Sequence, residues 1–384
     1  MKNLPILLAP LALASIAAAQ DLRVNVILEN VAPSFGTFQT PIWVGFHDGT
    51  FDSYDGGTLA NSLPIPGSDA LERLAEDGDT GPITRDFAIL GAGRLDATLP
   101  GPNGPIAPGE RTTRTFVLNP NDVRDRYFSY ASMVIPSNDA FIANGNPMAH
   151  PIFDASGNFI ASDFFVAGQD AVNDAGTELN DEVPLNTAFF GQMAPDTGVT
   201  ENNPIITHPG FLPRGTVGVL DDTRFRNGDF TLGGYPFLRV GFRAAPAVTD
   251  VRLFSTLALG IFEVPAVASP AAALSGAALV NNGEELIVAV QAFGLADLTA
   301  AHLHLGAAGS NGPVVADLLS NAQPSATPAN QFFLANLSSE DLVGPLADFP
   351  LDELVRRIEA GEIYLNLHTS ANPSGELRGQ LGRF

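Results

Sequence analysis

The chain has 384 residues, 45 % of them hydrophobic, so it is long enough to form more than one packed domain. Its 19 basic and 42 acidic residues give a net charge of −23, which disfavours nucleic acid and anionic membrane surfaces as partners, because phosphate recognition needs basic side chains. The sequence contains no cysteine, which excludes disulfides, thiolate metal sites and thiol nucleophiles.

The first 19 residues have the pattern of a secretory signal peptide. Lys2 precedes an apolar run, and small residues follow it up to Ala19. The run is too short to favour a membrane span, and no second candidate span follows. We therefore expect an exported protein, secreted or periplasmic, that is cleaved near Ala19 and has no membrane span.

Alternating apolar and polar residues predict β-strands through most of the chain. In segment 22–30, Val24, Val26 and Leu28 alternate with polar side chains, which is typical of a half-buried strand. Only two segments, 68–78 and 350–361, have the spacing of short helices. The predicted fold class is all-β, with two antiparallel β-sandwich domains. The other predicted strands are 41–47, 113–118, 130–135, 237–243, 251–259 and 285–293.

A segment rich in proline and alanine, 263–276, interrupts the strand pattern. We interpret it as the region between two domains. The predicted organisation is a first sandwich over 21–263, a linker over 264–271 and a smaller second sandwich over 272–384.

Four motifs of the first domain resemble the bacterial members of the spondin N-terminal domain family. They are PIWVGFHDGTFDSYDGG (41–57), LERLAEDG (71–78), SMVIPSNDAFIANGNP (132–147) and DAGTELNDEVP (174–184), in this order. The resemblance implies a calcium-binding β-sandwich related to C2 domains, found in extracellular matrix and adhesion proteins. Carried over to this sequence, it places calcium ligands at Asp139, Asp174 and Glu178.

The residues themselves leave two interpretations of these loops open. Calcium takes six to eight oxygen ligands, and loops rich in Asp, Glu and Asn supply them. The same residue types also form Asx turns that bind no ion.

The second domain contains three of the six histidines of the chain. His302 and His304 lie in AHLHLGAAGSNGPVV (301–315), and His368 lies in IYLNLHTSANPSGELRGQL (363–381). These segments resemble the CHRD domain, first named from chordin, over about residues 272–383. The resemblance implies an extracellular β-sandwich module and defines no biochemical activity for bacterial members.

Strand alternation places His302 and His304 on one face of their strand, opposite the leucines. His368 lies on the corresponding face of its own strand, so the three imidazoles converge if the two strands are neighbours. Three interpretations stay open: hydrogen bonds that tie the glycine-rich turns to the sheet, a copper or zinc site, or a catalytic role. Arg378 could pair with Glu376 or cap a cluster of carbonyl groups, and of these we expect the surface ion pair.

The sequence has no nucleophile-elbow serine, phosphate loop or zinc-protease helix motif. We therefore expect a secreted, non-catalytic binding, adhesion or matrix-type protein with a calcium site and an extracellular protein or polysaccharide as partner. The alternative is a metal-dependent oxidoreductase that uses copper or zinc at the histidine cluster.

Overall fold

The computed structural model describes residues 20–319 and 329–384, so the signal peptide predicted at 1–19 lies outside the described residues. Within these ranges the chain forms antiparallel β-sheets and three short α-helices, which confirms the predicted all-β class. None of the helices in the described part of the chain has the length and apolar character needed to cross a membrane.

The N-terminal domain contains two sheets. The first is formed by β1 (Leu22–Asn30), β5 (Arg111–Leu118), β8 (Phe164–Ala167) and β11 (Pro236–Pro246), in the order β5-β1-β11-β8. The second is formed by β2 (Phe38–Gln39), β3 (Ile42–His47), β4 (Gly93–Leu99), β6 (Tyr127–Ile135), β7 (Ala140–Ala143), β9 (Asn173–Asp174) and β10 (Ile206–Thr207). Its order is β10-β9-β7-β6-β3-β4, and β2 pairs with β6.

These two sheets pack around a shared hydrophobic core. Val24 and Val26 of β1 meet Val44 and Phe46 of β3 in this core, and all four side chains are fully buried. The outer face of the second sheet is covered by α1 (Ala70–Asp77) and α2 (Gly81–Leu90), around a second apolar cluster that includes the buried Trp43. The arrangement is therefore a sandwich with helices on one side.

The C-terminal domain contains one nine-stranded sheet, counted over the described residues. Its order is β16-β15-β18-β19-β12-β13-β14-β17, with β20 paired to β12. Helix α3 (Leu351–Glu359) buries Leu354, Val355 and Ile358 in the same core as the sheet. The strands are β12 (Arg252–Leu259), β13 (Ala272–Val280), β14 (Glu285–Leu295), β15 (Leu298–Leu305), β16 (Val314–Leu319), β17 (Ala329–Leu337), β18 (Ile363–Thr369), β19 (Leu377–Gln380) and β20 (Gly382–Arg383).

The predicted boundary at residue 263 differs from the structure. Strand β12 precedes it, yet β12 pairs with β13 and β19, and it buries Phe254 and Ala258 in the C-terminal core. The segment rich in proline and alanine therefore connects two strands of one domain. A change in composition marks a connection, but it does not tell which sheet the preceding strand joins.

The two domains are joined by buried polar contacts. Arg23 on the outer face of β1 places its Nε 2.8 Å from a carboxylate oxygen of Asp352 on α3, and both side chains are buried. The same carboxylate accepts a hydrogen bond from the backbone N–H of Val248. Asn25 donates to the carbonyl oxygen of Asp348 at 2.8 Å. One face of β1 thus serves the N-terminal core, and the other docks the C-terminal domain.

Candidate metal centre

The three histidines of the C-terminal domain lie on two neighbouring strands. Strands β15 and β18 pair antiparallel, with His302 opposite Asn366. Leu303, between His302 and His304, is fully buried in the core, so the histidines project from the opposite face of the sheet. His368 projects from the same face of β18. The structure therefore brings together the three residues that the sequence singled out.

The three rings are close enough to share one small ion. Their centroids are 4.8 Å (His302 to His368), 5.7 Å (His302 to His304) and 5.9 Å (His304 to His368) apart. One nitrogen from each ring lies within 4.8 Å of the others, and no other such set of three is found among the described residues. Ligand nitrogens around a zinc or copper ion are separated by about 3.3–3.6 Å when each bond is about 2.0–2.1 Å. The nitrogens would therefore have to move closer by at most about 1.5 Å to share an ion.

Backbone carbonyls fix the tautomer of two of these rings. Nδ1 of His304 lies 2.9 Å from the carbonyl oxygen of Gly312, and Nδ1 of His368 lies 3.0 Å from that of Pro373. A carbonyl oxygen only accepts hydrogen bonds, so both Nδ1 atoms carry the proton, and in the neutral ring both Nε2 atoms carry a lone pair. Metal-binding histidines are usually oriented in this way, by an outer hydrogen bond from the non-ligating nitrogen.

The lone pairs face the interior of the cluster. Nε2 of His304 is buried and has no hydrogen-bond partner among the described residues. Nε2 of His368 lies 3.1 Å from Nδ1 of His302, which therefore acts as the donor. On its other side, His302 places Nε2 4.0 Å from a carboxylate oxygen of Asp317. With an ion bound, Nδ1 of His302 would become the ligand, and its proton would move to Nε2, facing that carboxylate.

Burial favours the neutral form of two of the three donors. It lowers the pKa of both His302 and His304, and the neighbouring His368 adds to the effect in each case. Neutral imidazole is the form that binds a metal ion, so no proton has to be removed from the lone pairs near neutral pH.

Arg378 is buried on the same face of the sheet as the histidines, and the surface ion pair expected for it is not observed among the described residues. Its side chain is 2 % exposed. It donates to the carbonyl oxygens of Ala307 (3.0 Å) and Ser310 (2.7 Å) and to Oδ1 of Asn311 (3.2 Å). Strand β19 lies inside the sheet, so its outward side chain is covered by the glycine-rich turn and is not solvated.

Several acceptors in the same layer have no partner among the described residues. They are Oδ1 of Asn366, Oε1 of Gln380 and Oε1 of Glu263, all buried. Burial raises the pKa of Glu263 to about 7, against the opposing effect of Arg378. A buried polar layer therefore separates the sheet from its covering turns, and the histidines form one end of it.

The residues predicted to bind calcium lie in the N-terminal domain, at the start of β7 and in the loop after β9. Asp139 is fully buried, and its Oδ2 accepts backbone N–H bonds from Thr177 (2.8 Å) and Glu178 (3.1 Å). Its Oδ1 and Oε2 of Glu178 are buried without a partner among the described residues. Asp174 uses one oxygen for the N–H of Gly176 and the other for Asn180.

Helix α1 adds a carboxylate that the sequence analysis missed. Glu76 is 2 % exposed. Burial is the main cause of its raised pKa, a side-chain hydrogen bond with Thr177 opposes the rise, and the neighbouring carboxylate of Glu178 adds to it. Burial raises the pKa of both Glu76 and Glu178 to about 7, and it raises that of Asp139 with the help of Asp174. Although these acids are neighbours, no three of their oxygens, one from each residue, lie within 4.8 Å of one another in the described structure.

Comparison with known families identifies one of the two domains. Residues 254–381 match the CHRD domain family. The C-terminal domain of this protein is a CHRD domain. The match begins in β12 and includes all three histidines and Arg378, and it agrees with the extent of the C-terminal sheet. A search of curated proteins and a search of solved structures found no match to this chain.

Proposed function

We propose that this chain is an exported, non-catalytic binding protein whose CHRD domain holds a copper or zinc ion between His302, His304 and His368. The observation that carries the proposal is the pair of Nδ1–H bonds to carbonyl oxygens, which leaves the Nε2 lone pair of His304 buried and without a partner in the described part of the chain. An unpaired buried polar atom costs roughly 1–3 kcal/mol, and a bound ion would remove that cost.

The donor set favours a transition metal over calcium at this position. Three imidazole nitrogens suit zinc and copper, whereas calcium takes oxygen ligands. The nearest carboxylate, Asp317, lies on the outer side of His302 and would orient that ring. The redox alternative uses the same ligands, so the identity of the bound ion separates the two functions.

For the N-terminal domain we propose a calcium site around Asp139 and Glu178, as the resemblance to spondin N-terminal domains implies. Its support is that each of these two side chains has a buried oxygen for which residues 20–319 and 329–384 provide no hydrogen-bond partner. Asp174, the third residue predicted there, is held by its own hydrogen bonds and would act by orienting the loop. Glu76 is the better candidate for a third carboxylate.

The partner and location follow from charge and from the predicted leader. A chain with a net charge of −23 would be repelled by nucleic acid and anionic lipid. We propose an extracellular protein or a polysaccharide as partner, with the mature protein either periplasmic or secreted.

Elemental analysis of the purified full chain tests the metal proposal. We expect one copper or zinc ion per chain after dialysis, and loss of that ion in the His304→Ala/His368→Ala variant. His150→Gln, in the other domain, is the matched control and should retain the ion. Wild-type protein that retains no transition metal after loading would overturn the proposal. Copper that cycles between oxidation states with turnover of a reductant would favour the oxidoreductase.

A further inference from the structure

A stack of three side chains connects the histidine cluster to a buried positive charge. The ring of Tyr364 lies parallel to that of His304, with centroids 4.9 Å apart and an interplanar angle of 12°. The guanidinium carbon of Arg378 lies 3.6 Å from the centroid of the same tyrosine ring. Only one aromatic ring therefore separates the charge from a proposed metal ligand.

The charge of Arg378 is poorly screened. Its hydrogen bonds go to two carbonyl oxygens and an amide oxygen, which are neutral acceptors. No carboxylate of the described residues lies within 4.0 Å of its guanidinium nitrogens. Being 2 % exposed, it is also shielded from water and salt. An isolated charge in this environment acts over a longer distance than one at the surface.

Three acids near this layer, Glu376, Glu263 and Asp317, oppose this charge, and the carboxylate of Glu376 accepts three side-chain hydrogen bonds. Burial raises the pKa of Glu263 to about 7, so this side chain is ionised only in part at neutral pH. Asp317 lies closer to the histidines, but 42 % of its side chain is exposed, and water screens it. The positive charge of Arg378 therefore lies one aromatic ring away from His304 and is only partly offset.

We propose that Arg378 makes the three-histidine site select the ion of lower charge, so that the CHRD domain holds Cu(I) in preference to Cu(II) or Zn(II). This inference rests on the proposed metal site. Three imidazoles accept copper in either oxidation state, so the donors alone do not choose. Repulsion by a nearby positive charge is twice as large for a divalent ion as for a monovalent one.

The expected effect is large enough to measure. One unscreened charge at this range changes the ratio of Cu(I) to Cu(II) affinity by about tenfold. For a one-electron couple, tenfold corresponds to about 59 mV. The direction is fixed by the sign of the charge: removing Arg378 should favour the divalent ions.

The experiment measures Cu(I), Cu(II) and Zn(II) affinities of the full chain by competition with chelators specific for each ion. In Arg378→Gln we expect the ratio of Cu(I) to Cu(II) affinity to fall about tenfold and Zn(II) affinity to rise. Arg378→Lys keeps the charge and is the matched control, with a ratio close to that of the wild type. An unchanged ratio in an Arg378→Gln protein that still binds copper would overturn the inference.

A second variant tests the effect of charge without removing the hydrogen bonds between Arg378 and the turn. Asn366 lies between His302 and Arg378 in adjacent strands, so Asn366→Asp adds a negative charge without removing any bond from Arg378 to the turn. It should lower the Cu(I) to Cu(II) ratio in the same direction as Arg378→Gln. A ratio that stays constant or rises in Asn366→Asp would contradict the inference. Wild-type protein that binds none of the three ions would instead overturn the metal site itself.

Discussion

The histidine cluster of the CHRD domain and the carboxylate cluster of the N-terminal domain are both buried, but they differ in how their donors are held. Both contain polar atoms that have no hydrogen-bond partner among the residues the structure describes. In the CHRD domain, backbone carbonyls fix the tautomers of two rings, and burial lowers the pKa of His302 and His304. In the N-terminal domain, Asp139, Glu178 and Glu76 are acids whose pKa values burial raises.

This difference determines what each cluster does without an ion. Neutral imidazoles lie side by side at little electrostatic cost, so the histidine cluster is preorganised. Carboxylates at close range repel one another, so they hold protons or need a cation. The histidine cluster is therefore expected to affect binding, and the carboxylate cluster is expected to affect stability and its dependence on pH.

The largest expected effect is on metal affinity. Replacing His304 or His368 by Ala removes a donor whose tautomer is fixed, and copper or zinc affinity should fall at least about 100-fold. No carbonyl oxygen of the described residues accepts a hydrogen bond from His302, so His302→Ala should lower the affinity less, about tenfold. Chelator competition measures all three variants. Equal losses in the three would contradict the view that the outer hydrogen bonds organise the site.

The second effect concerns the docking of the two domains. Arg23→Ala leaves the buried carboxylate of Asp352 without its ion-pair partner, and we expect a loss of about 3 kcal/mol in the free energy of unfolding. Arg224→Ala, which breaks an exposed pair with Asp222, should cost less than about 1 kcal/mol. Urea denaturation compares them. Metal affinity should stay unchanged in both variants, and a loss in Arg23→Ala would mean that the histidine cluster depends on docking.

The third effect is a loss of stability with rising pH. Burial raises the pKa of Glu178 to about 7 in the folded protein, whereas an unfolded glutamate titrates near 4.3. The folded state therefore binds more protons between these values. Its contribution is full below about pH 4 and is lost as pH rises through about 7. The contribution is at most about 4 kcal/mol, since one pKa unit corresponds to about 1.4 kcal/mol, and each kcal/mol changes the melting temperature by about 2–4 °C.

Calcium should oppose this loss by replacing the protons. Melting temperatures at pH 5 and pH 8, with and without calcium, test it. We expect Glu178→Gln to lose both the pH dependence and the calcium response in large part, while Glu340→Gln, at an exposed position, keeps both. A wild-type melting temperature that does not respond to calcium at pH 8 would contradict the calcium proposal and leave the histidine site untouched.

The smallest expected effect is at Tyr364, which ties the stack to the glycine-rich turn. Its hydroxyl oxygen accepts a hydrogen bond from the N–H of Gly312 at 3.1 Å. Tyr364→Phe removes that acceptor but keeps the ring, so we expect a loss of about 1 kcal/mol in stability and little change in metal affinity. Denaturation and chelator competition check both. A tenfold loss of affinity would show that the hydroxyl group positions His304 through the turn.

Most of the fold could be predicted because it depends on local patterns. The alternation of Val24, Val26 and Leu28 identifies β1, and the spacing of Leu354, Val355 and Ile358 identifies α3. Helix α2 was missed because its apolar residues follow a weaker helical pattern. The domain boundary was misplaced because the pairing of β12 with β13 is a long-range choice that composition does not encode.

The candidate sites were predictable to different degrees. Period-two alternation put the three histidines on outward faces, but only the antiparallel pairing of β15 with β18 brings them together. Glu76 gave no signal, since it lies on a helix far from Asp139 in sequence. For Arg378 the sequence predicted an exposed side chain, because a charged residue between glycines is typical of an exposed turn, whereas the structure buries it.

By itself, the sequence determined the strand-rich class, the acidic character, the absence of thiol chemistry and the faces on which the histidines lie. Each of these depends on residue type or on the two-residue period of a strand. The tertiary structure decided which strands are neighbours, which donors receive a fixed tautomer and which charges are buried. Those properties depend on register and on covering turns, and together they turn three dispersed histidines and a distant arginine into one candidate metal centre.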